Sequence, residues 1–192
     1  MRKANKQEKV LIVDILTQSF ESNQSVNYVV KQDEKRNRRV RALMDYSFEV
    51  CNLFGDVFIS DDKKACALIM YPEKKKTSLK SMLLDIKLII HCVGIRNVKK
   101  TLNREALIKK IQPKELMTYL WFIGVNLEDQ NKGFGSNLLQ SIIQHSDQNN
   151  RPIYLETSTV RNLPWYKRFG FEVYSEQDLS YRLYFLKRNL KK

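Results

Sequence analysis

The sequence has no long apolar run. Its longest unbroken stretch of apolar residues extends from Ala65 to Tyr71, whereas a membrane-spanning helix needs about 18 or more. The amino terminus, Met1 to Lys6, is charged, and no apolar stretch of the length that a signal peptide requires follows it. We therefore expect a cytoplasmic protein without a membrane partner.

Cysteine and histidine are equally scarce. The 192 residues include three cysteines, Cys51, Cys66 and Cys92, and two histidines, His91 and His145. The cysteines are odd in number, far apart and set in apolar surroundings, so we interpret them as buried reduced thiols and not as a disulfide framework. With so few candidate ligands, we expect no metal site.

Acidic residues are outnumbered by basic ones, 21 against 34, which gives a net charge of +13. The excess is concentrated in residues 72–114, which carry 12 basic and 3 acidic side chains. Such a surface can meet nucleic acid, a membrane face or a polyanionic cofactor, or can simply be a solvated helix face. No aromatic side chain for base stacking lies between Pro72 and Lys114, so we do not expect a nucleic acid partner.

The composition is that of one globular domain. Apolar residues make up 43% of the chain and charged residues 29%, a balance typical of folded proteins. A chain of this length builds one sizeable core and is short for two. We therefore treat residues 1–192 as a single domain.

Apolar periodicity predicts the secondary structure. In the first part of the chain it predicts two amphipathic helices and a hairpin, with residues 26–30 too short to assign and treated as a connection: helices in 7–20 and 36–54, strands in 57–60 and 65–71. In the second part it predicts helices in 79–93, 98–111, 136–145 and 162–169, and strands in 117–125, 153–157, 171–174 and 179–186. Gly124, near the end of the strand 117–125, is the predicted position of a bulge.

A glycine loop joins the strand 117–125 to the helix that follows. Its sequence is Gln130-Asn131-Lys132-Gly133-Phe134-Gly135. Backbone N–H groups at the start of such a helix can hold an anion, and glycine removes the Cβ atoms that would block its approach. The dinucleotide-binding fingerprint requires a third glycine where this chain has Leu138, and the Gly-Lys-Ser/Thr of a Walker loop is absent, so both of these phosphate loops are excluded.

The order of motifs resembles the GNAT superfamily of acetyltransferases. In that family a Gln-x-x-Gly-x-Gly loop is followed by a helix, a strand and a short helix that carries an asparagine and a tyrosine before a Gly-Phe pair. Here that last segment is Asn162-Leu163-Pro164-Trp165-Tyr166-Lys167-Arg168-Phe169-Gly170-Phe171. The resemblance covers residues 117–174, the acetyl-CoA-binding core. It implies a mixed α/β fold with a central, mostly antiparallel sheet of six to seven strands flanked by helices.

The resemblance also implies a site. Acetyl-CoA, the co-substrate, would lie in a splayed gap beside the strand 117–125, with its pantetheine arm along Ile123 and Val125 and with Gly124 helping to open the gap. Asn162 would contact it, and Tyr166 would lie near the sulfur and protonate the departing thiolate. The pyrophosphate would rest on the backbone of the residues that form the loop and the start of the helix: Gln130, Asn131, Lys132, Gly133, Phe134, Gly135 and Ser136.

The implied reaction is direct attack of a neutral amine on the thioester, in a ternary complex. The strand 117–125 contains no carboxylate or histidine to act as the base, which leaves Glu156, Tyr119 or a water chain, and we place Glu156 first. The alternative function is a non-catalytic CoA-binding or regulatory module.

The partner implied by the resemblance is a small-molecule or peptide amine, and a homodimer is left open. The basic segment 72–114 departs from the minimal family pattern as a helical insertion, and we interpret it as a cover over the acceptor site. Its positive charge would then suit acceptors that carry an acidic group.

Overall fold

The computed structural model describes residues 1–190, in which seven strands form one central sheet. The strands are Arg2–Lys3 (β1), Gly55–Ile59 (β2), Ala65–Met70 (β3), Thr118–Val125 (β4), Ile153–Thr157 (β5), Glu172–Asp178 (β6) and Arg182–Arg188 (β7). Their order across the sheet is β1-β2-β3-β4-β5-β7-β6. Neighbouring strands are antiparallel except β4 and β5, which are parallel.

Within residues 1–190, seven α-helices flank this sheet. They are Lys9–Ser19 (α1), Gln24–Val29 (α2), Arg36–Phe54 (α3), Leu79–Leu88 (α4), Val98–Ile111 (α5), Phe134–Gln148 (α6) and Leu163–Arg168 (α7). A π-helical turn, Ile89–Val93, continues α4. No helix among the described residues is long and apolar enough to span a membrane.

Each face of the sheet carries its own core. Neighbouring residues of a strand point to opposite faces, so Leu68 of β3 joins the core that α1 and α3 cover, whereas Ile69 joins the core that α6 covers. Met44 and Phe48, spaced by one helical turn on α3, are buried in the first core. Helical periodicity predicted α3 and α6 because a single side of each helix meets the sheet.

The parallel strands β4 and β5 pair only where they begin. Thr118 lies opposite Ile153 and Tyr119 opposite Tyr154, and the pairing ends there although β4 continues to Val125. The backbone edges of the remaining residues therefore face a gap between the two strands. This is the splayed gap that the family resemblance implied.

A bulge in β4 lies close to the gap. Leu68 of β3 is opposite Phe122 and the next residue, Ile69, is opposite Leu120, so Trp121 is the extra residue in β4. An extra residue bends its strand and increases the local twist.

Gly124 does not form the bulge. It lies in regular register opposite Cys66. A Cβ atom on Gly124 would come within 2.9 Å of Leu16 Cδ2 and 3.0 Å of Ser19 Oγ, both on α1. The predicted bulge at this position is therefore wrong, and the glycine instead lets α1 pack closely against β4.

The predicted fold class is confirmed, and the long elements lie where periodicity placed them. Residues 26–30 are different, because most of them form the short helix α2, whose start is capped when the Asn23 side chain accepts a hydrogen bond from the Val26 N–H. Six residues are too few to show a helical period, so the assignment as a connection was wrong. All three cysteines are buried and unbonded.

The basic segment 72–114 is helical, as predicted. The Ser78 side chain accepts a hydrogen bond from the Ser81 N–H and so caps the start of α4. Gly94, at φ +73°, ends the π-helical turn and redirects the chain into α5. α4 packs on α3, and α5 packs on α2, so the segment lies beside the open end of the gap.

Candidate active site

The gap between β4 and β5 opens into a cavity of about 1450 Å³. One end is lined by β4, the glycine loop and α7, and the other by α2, α4 and α5. A cavity of this size can hold more than one small ligand, because typical ligand pockets measure about 300–1,000 Å³.

The edge of β4 presents two backbone positions to this cavity. The Asn126 N–H donates to the Lys64 carbonyl oxygen at 2.9 Å, which fixes the alternation of hydrogen-bonded pairs between β3 and β4. By that alternation the N–H and C=O groups of Ile123 and Val125 point away from β3, toward the gap. The Val125 carbonyl already accepts a hydrogen bond from Ser19 Oγ at 3.0 Å.

The glycine loop has the backbone conformation of an anion cradle. Asn131 and Gly133 have positive φ values of +62° and +89°, and α6 begins at the next residue, Phe134. A Cβ on Gly133 would have no atom within 4 Å, whereas one on Gly135 would lie 3.2 Å from Val125 Cγ2. The first N–H groups of α6, which have no acceptor within the helix, thus border open space inside the cavity.

The side chains of the loop point in different directions. Gln130 and Asn131 line the cavity. Lys132 is exposed and lies 3.6 Å from Asp129, and the Phe134 ring packs in the core with Lys64 Nζ 4.6 Å from its centroid. Neither Lys132 nor Phe134 contributes to the cavity lining, whereas Gly133, Gly135 and Ser136 do.

Helix α7 is docked on the start of α6. The Trp165 Nε1–H donates to Ser136 Oγ at 3.0 Å, which brings Asn162 and Tyr166 to the cavity wall. Tyr166 is only 5% exposed, and burial raises the pKa of its hydroxyl. It therefore stays protonated and able to donate across the physiological range.

Glu156 on β5 lines the cavity across the gap from β4. Its Oε2 accepts a hydrogen bond from the Tyr119 hydroxyl and its Oε1 accepts one from Gln112 Nε2 at 2.9 Å. The side chain keeps partial contact with the cavity but is surrounded by protein, so burial raises its pKa, while the hydrogen bonds from Tyr119 and Gln112 act in the opposite direction. The structure thus brings together the two side chains that the sequence offered as candidate bases.

Arg104 on α5 was missed by sequence reasoning. Its guanidinium donates to the Tyr181 hydroxyl at 3.0 Å, to Ser25 Oγ at 2.6 Å and to Glu105 at 2.7 Å. It lines the cavity, and its charge lowers the pKa of Glu156. No local pattern distinguishes it from the other basic residues of α5, because two of its partners are distant in the chain: Ser25 on α2 and Tyr181 just before β7.

The end of the cavity formed by α4 and α5 is not strongly basic. Of the 12 basic residues in the segment 72–114, three line the cavity. Three acidic side chains lie at the same end, so the numbers of basic and acidic residues are equal there. The basic residues are Lys75, Arg104 and Lys109, and the acidic residues are Asp85, Glu105 and Glu156. The lining does not support the expected preference for acidic acceptors, and most of the excess charge lies elsewhere.

Known proteins share both the sequence pattern and the fold. Residues 92–171 match the model of the acetyltransferase (GNAT) family. An uncharacterized N-acetyltransferase of Schizosaccharomyces pombe is 43% identical over 53 residues. That match spans 28% of this chain and 22% of the yeast protein.

Solved structures match over the whole chain. The histone acetyltransferase HPA2 and related acetyltransferase from Corynebacterium glutamicum has a TM-score of 0.69 at 17% identity, covering 100% of this chain and 96% of that one. Chaetomium thermophilum Naa20, solved in complex with a bisubstrate analogue, has a TM-score of 0.51 at 12% identity, covering 98% and 85%. At these identities the likeness concerns the fold.

The splayed sheet, the glycine loop and the family match over residues 92–171 all indicate the class of the GNAT acetyltransferases. They confirm the resemblance that the motifs of the sequence predicted.

Proposed function

We propose that this protein transfers an acetyl group from acetyl-CoA to a primary amine by direct attack in a ternary complex. One observation carries the proposal: a single cavity joins the unpaired edge of β4 and the glycine loop to Glu156 and Tyr166. A donor and an acceptor can therefore meet between a candidate base and a candidate acid.

The residues present fit acetyl-CoA. The space above Gly133 and the free N–H groups at the start of α6 suit a pyrophosphate. The edge of β4 at Ile123 and Val125 suits an amide-containing arm that pairs as an added strand. Other residues of the loop, helix α6 and the segment before α7 also line the cavity: Gln130, Asn131, Gly133, Gly135, Ser136 and Asn162. The backbone of Lys132 and Phe134 completes the proposed loop site.

When bound, acetyl-CoA supplies the thioester whose carbon forms the new C–N bond and whose C–S bond breaks. Glu156 takes the proton that the amine nitrogen loses, and its raised pKa brings it closer to the pH at which it must accept that proton. Tyr166 gives its hydroxyl proton to the leaving sulfur. The two proton transfers balance, so the products are an N-acetyl amine and free CoA.

The acceptor is a small molecule or a peptide amine. The cavity is large enough to admit either beside the donor, and the balanced charge of its α4 and α5 end selects for neither sign. In this proposal Glu156 on β5 supplies the carboxylate that β4 lacks, which favours catalysis over the alternative of a non-catalytic CoA-binding module.

Two measurements test the proposal. Thermal shift should show stabilisation by acetyl-CoA and none by NADH or GTP, since a ligand of the native state raises its melting temperature. Thiol release from acetyl-CoA over a panel of amines should exceed the rate without amine. Stabilisation by acetyl-CoA without amine-dependent thiol release across the panel would instead support a binding module.

A further inference from the structure

Helix α4 has an apolar stripe on its outer side, away from the cavity. Five large aliphatic side chains, each between 50% and 82% exposed, lie at helical spacing along α4 and its π-helical turn: Leu79, Met82, Leu83, Ile86 and Ile90. Contiguous exposed apolar surface of this kind marks an interaction site more often than a solvated helix.

The other side of α4 is occupied by the protein itself. Leu88 packs against the core of α1 and α3, and the Tyr46 hydroxyl on α3 donates to Asp85 at 2.7 Å. This side of α4 is therefore packed against the protein, and the aliphatic stripe lies on the outer surface.

Basic side chains border the stripe. A groove of about 540 Å³ between α3 and α4 includes Ile90 of the stripe together with Lys35, Arg38, Arg41 and Lys87. Lys80 is exposed on the same helix. We refer to these five cations, Lys35, Arg38, Arg41, Lys80 and Lys87, as the basic border.

Little negative charge opposes the basic border. Asp45, the acidic residue of the groove, pairs with Lys9 at 2.8 Å, and Arg41 pairs with Asp14. Over residues 1–190, Lys80 and Lys87 have no carboxylate partner. Lys80 and Lys87, two basic residues of the segment 72–114 that do not line the cavity, thus lie beside exposed aliphatic side chains.

We propose that this surface binds an anionic lipid bilayer, with the α4 stripe in the interface and the basic border on the headgroups. A helix with aliphatic residues on one side and lysines beside them is the pattern of interfacial binding, which needs no spanning segment. Our expectation of no membrane partner rested on the absence of such a segment and does not address this mode of binding.

Two other occupants satisfy only half of the pattern. A second copy docked symmetrically on the same surface would bring two basic borders together, and like charges oppose such an interface. A nucleic acid would meet the cations but would leave the aliphatic stripe in water, and the segment offers no aromatic residue for stacking.

Co-sedimentation of the full chain with vesicles tests the proposal. We expect the protein to bind vesicles made from equal amounts of phosphatidylcholine and phosphatidylserine, and high salt should weaken this binding. Vesicles of phosphatidylcholine alone should not be bound. Leu83→Ser should weaken binding by roughly tenfold, because one leucine leaves the interface. Leu116→Ser is the matched control, since Leu116 is 57% and Leu83 59% exposed but Leu116 lies outside the stripe.

The charge contribution has its own pair of variants. Lys80→Gln with Lys87→Gln should weaken binding to anionic vesicles by on the order of tenfold or more, whereas Lys110→Gln with Lys114→Gln should leave it unchanged. Both pairs should keep thiol release with a soluble amine.

Three results would overturn the lipid assignment. The first is binding to neither kind of vesicle, or equal binding to both. The second is a dimer by light scattering that Leu83→Ser dissociates. The third is binding of duplex DNA that the Lys80 and Lys87 pair abolishes while vesicles are not bound.

Discussion

The Tyr119 hydroxyl on β4 donates a hydrogen bond to Glu156 Oε2 on β5, just beyond the point where the two strands stop pairing. Tyr119 lies opposite Tyr154, and Glu156 is two residues further along β5 on the same edge of the cavity. Tyr119, at the last paired position of β4, thus positions the proposed base and lowers its pKa.

Removal of this hydroxyl should change the pH dependence of catalysis. The hydrogen bond from Tyr119 lowers the pKa of Glu156, against the larger effect of burial. In Tyr119→Phe the pKa of Glu156 should rise further, so the acidic limb of the kcat/KM profile should move to higher pH. The plateau value of kcat/KM at higher pH should fall less than the values on the acidic limb. A uniform loss at all pH values would show that Tyr119 is only structural. Tyr174→Phe, outside the cavity lining, is the control.

Glu156 should also leave a signature in stability. Burial raises the pKa of Glu156 in the folded state above its value in the unfolded state. Its contribution to the free energy of unfolding is therefore fully present below the pKa of the unfolded state and is lost as pH rises through the pKa of the folded state. The wild type should therefore lose stability relative to Glu156→Gln as pH increases, by up to about 1.4 kcal/mol per pH unit within that window.

Denaturant unfolding at a series of pH values measures this difference. Glu176→Gln, an exposed strand carboxylate, is the control and should give no such trend. A pH-independent difference between the wild type and Glu156→Gln would contradict the raised pKa. In the activity assay, Glu156→Gln should lower kcat by about 100-fold or more if Glu156 is the base.

Tyr166→Phe should separate catalysis from cofactor binding. The hydroxyl is buried in the cavity wall, and the ring packs between Trp165 and Phe171 in a position that phenylalanine can keep. We expect kcat to fall by about 100-fold, with the thermal shift by acetyl-CoA retained, because only the proposed proton donor is lost. Full activity in this variant would remove Tyr166 from the acid role.

Two glycines near the site should respond differently to alanine. In Gly124→Ala the new Cβ meets Leu16 and Ser19 on α1, so we expect a stability loss of about 1–3 kcal/mol from overpacking with little change in the acetyl-CoA thermal shift. In Gly133→Ala the space is open, but the positive φ costs on the order of 1 kcal/mol. The acetyl-CoA shift should fall there, because the methyl group enters the proposed pyrophosphate site.

Measurement of both variants, with and without acetyl-CoA, tests the assignment of the two roles. If Gly124→Ala reduced the thermal shift by acetyl-CoA as much as Gly133→Ala does, the assignment of the pyrophosphate site to the glycine loop would be wrong.

The sequence predicted the elements that have a clear period and the site residues that belong to one motif. Helix α3 was predicted with its observed bounds, because its buried side chains repeat over five turns. The glycine loop and Tyr166 were proposed for the candidate site because each lies in a short contiguous pattern, and both line the cavity. Glu156 and Tyr119 were named separately, and only the parallel register of β4 and β5 shows that they touch.

The features that were missed depend on contacts between distant parts of the chain. Arg104 and Gln112 reach the cavity because α5 packs beside α2 and β7, a placement that no local pattern encodes. The bulge at Trp121 is set by the register against β3, and tryptophan carries no turn propensity that would mark it. Gly124 was assigned to the bulge because the only glycine of the strand is the usual local signal for one.

The short pairing of β4 with β5 divides the sheet into two antiparallel halves, β1 to β4 and β5 to β7, which two residue pairs connect within residues 1–190. On one face of the sheet the core that α6 covers also joins them, because it includes residues of both halves. A ligand that pairs with the free edge of β4 and contacts α7 would add a further connection across the gap. Binding of the donor would therefore hold the two halves together more strongly.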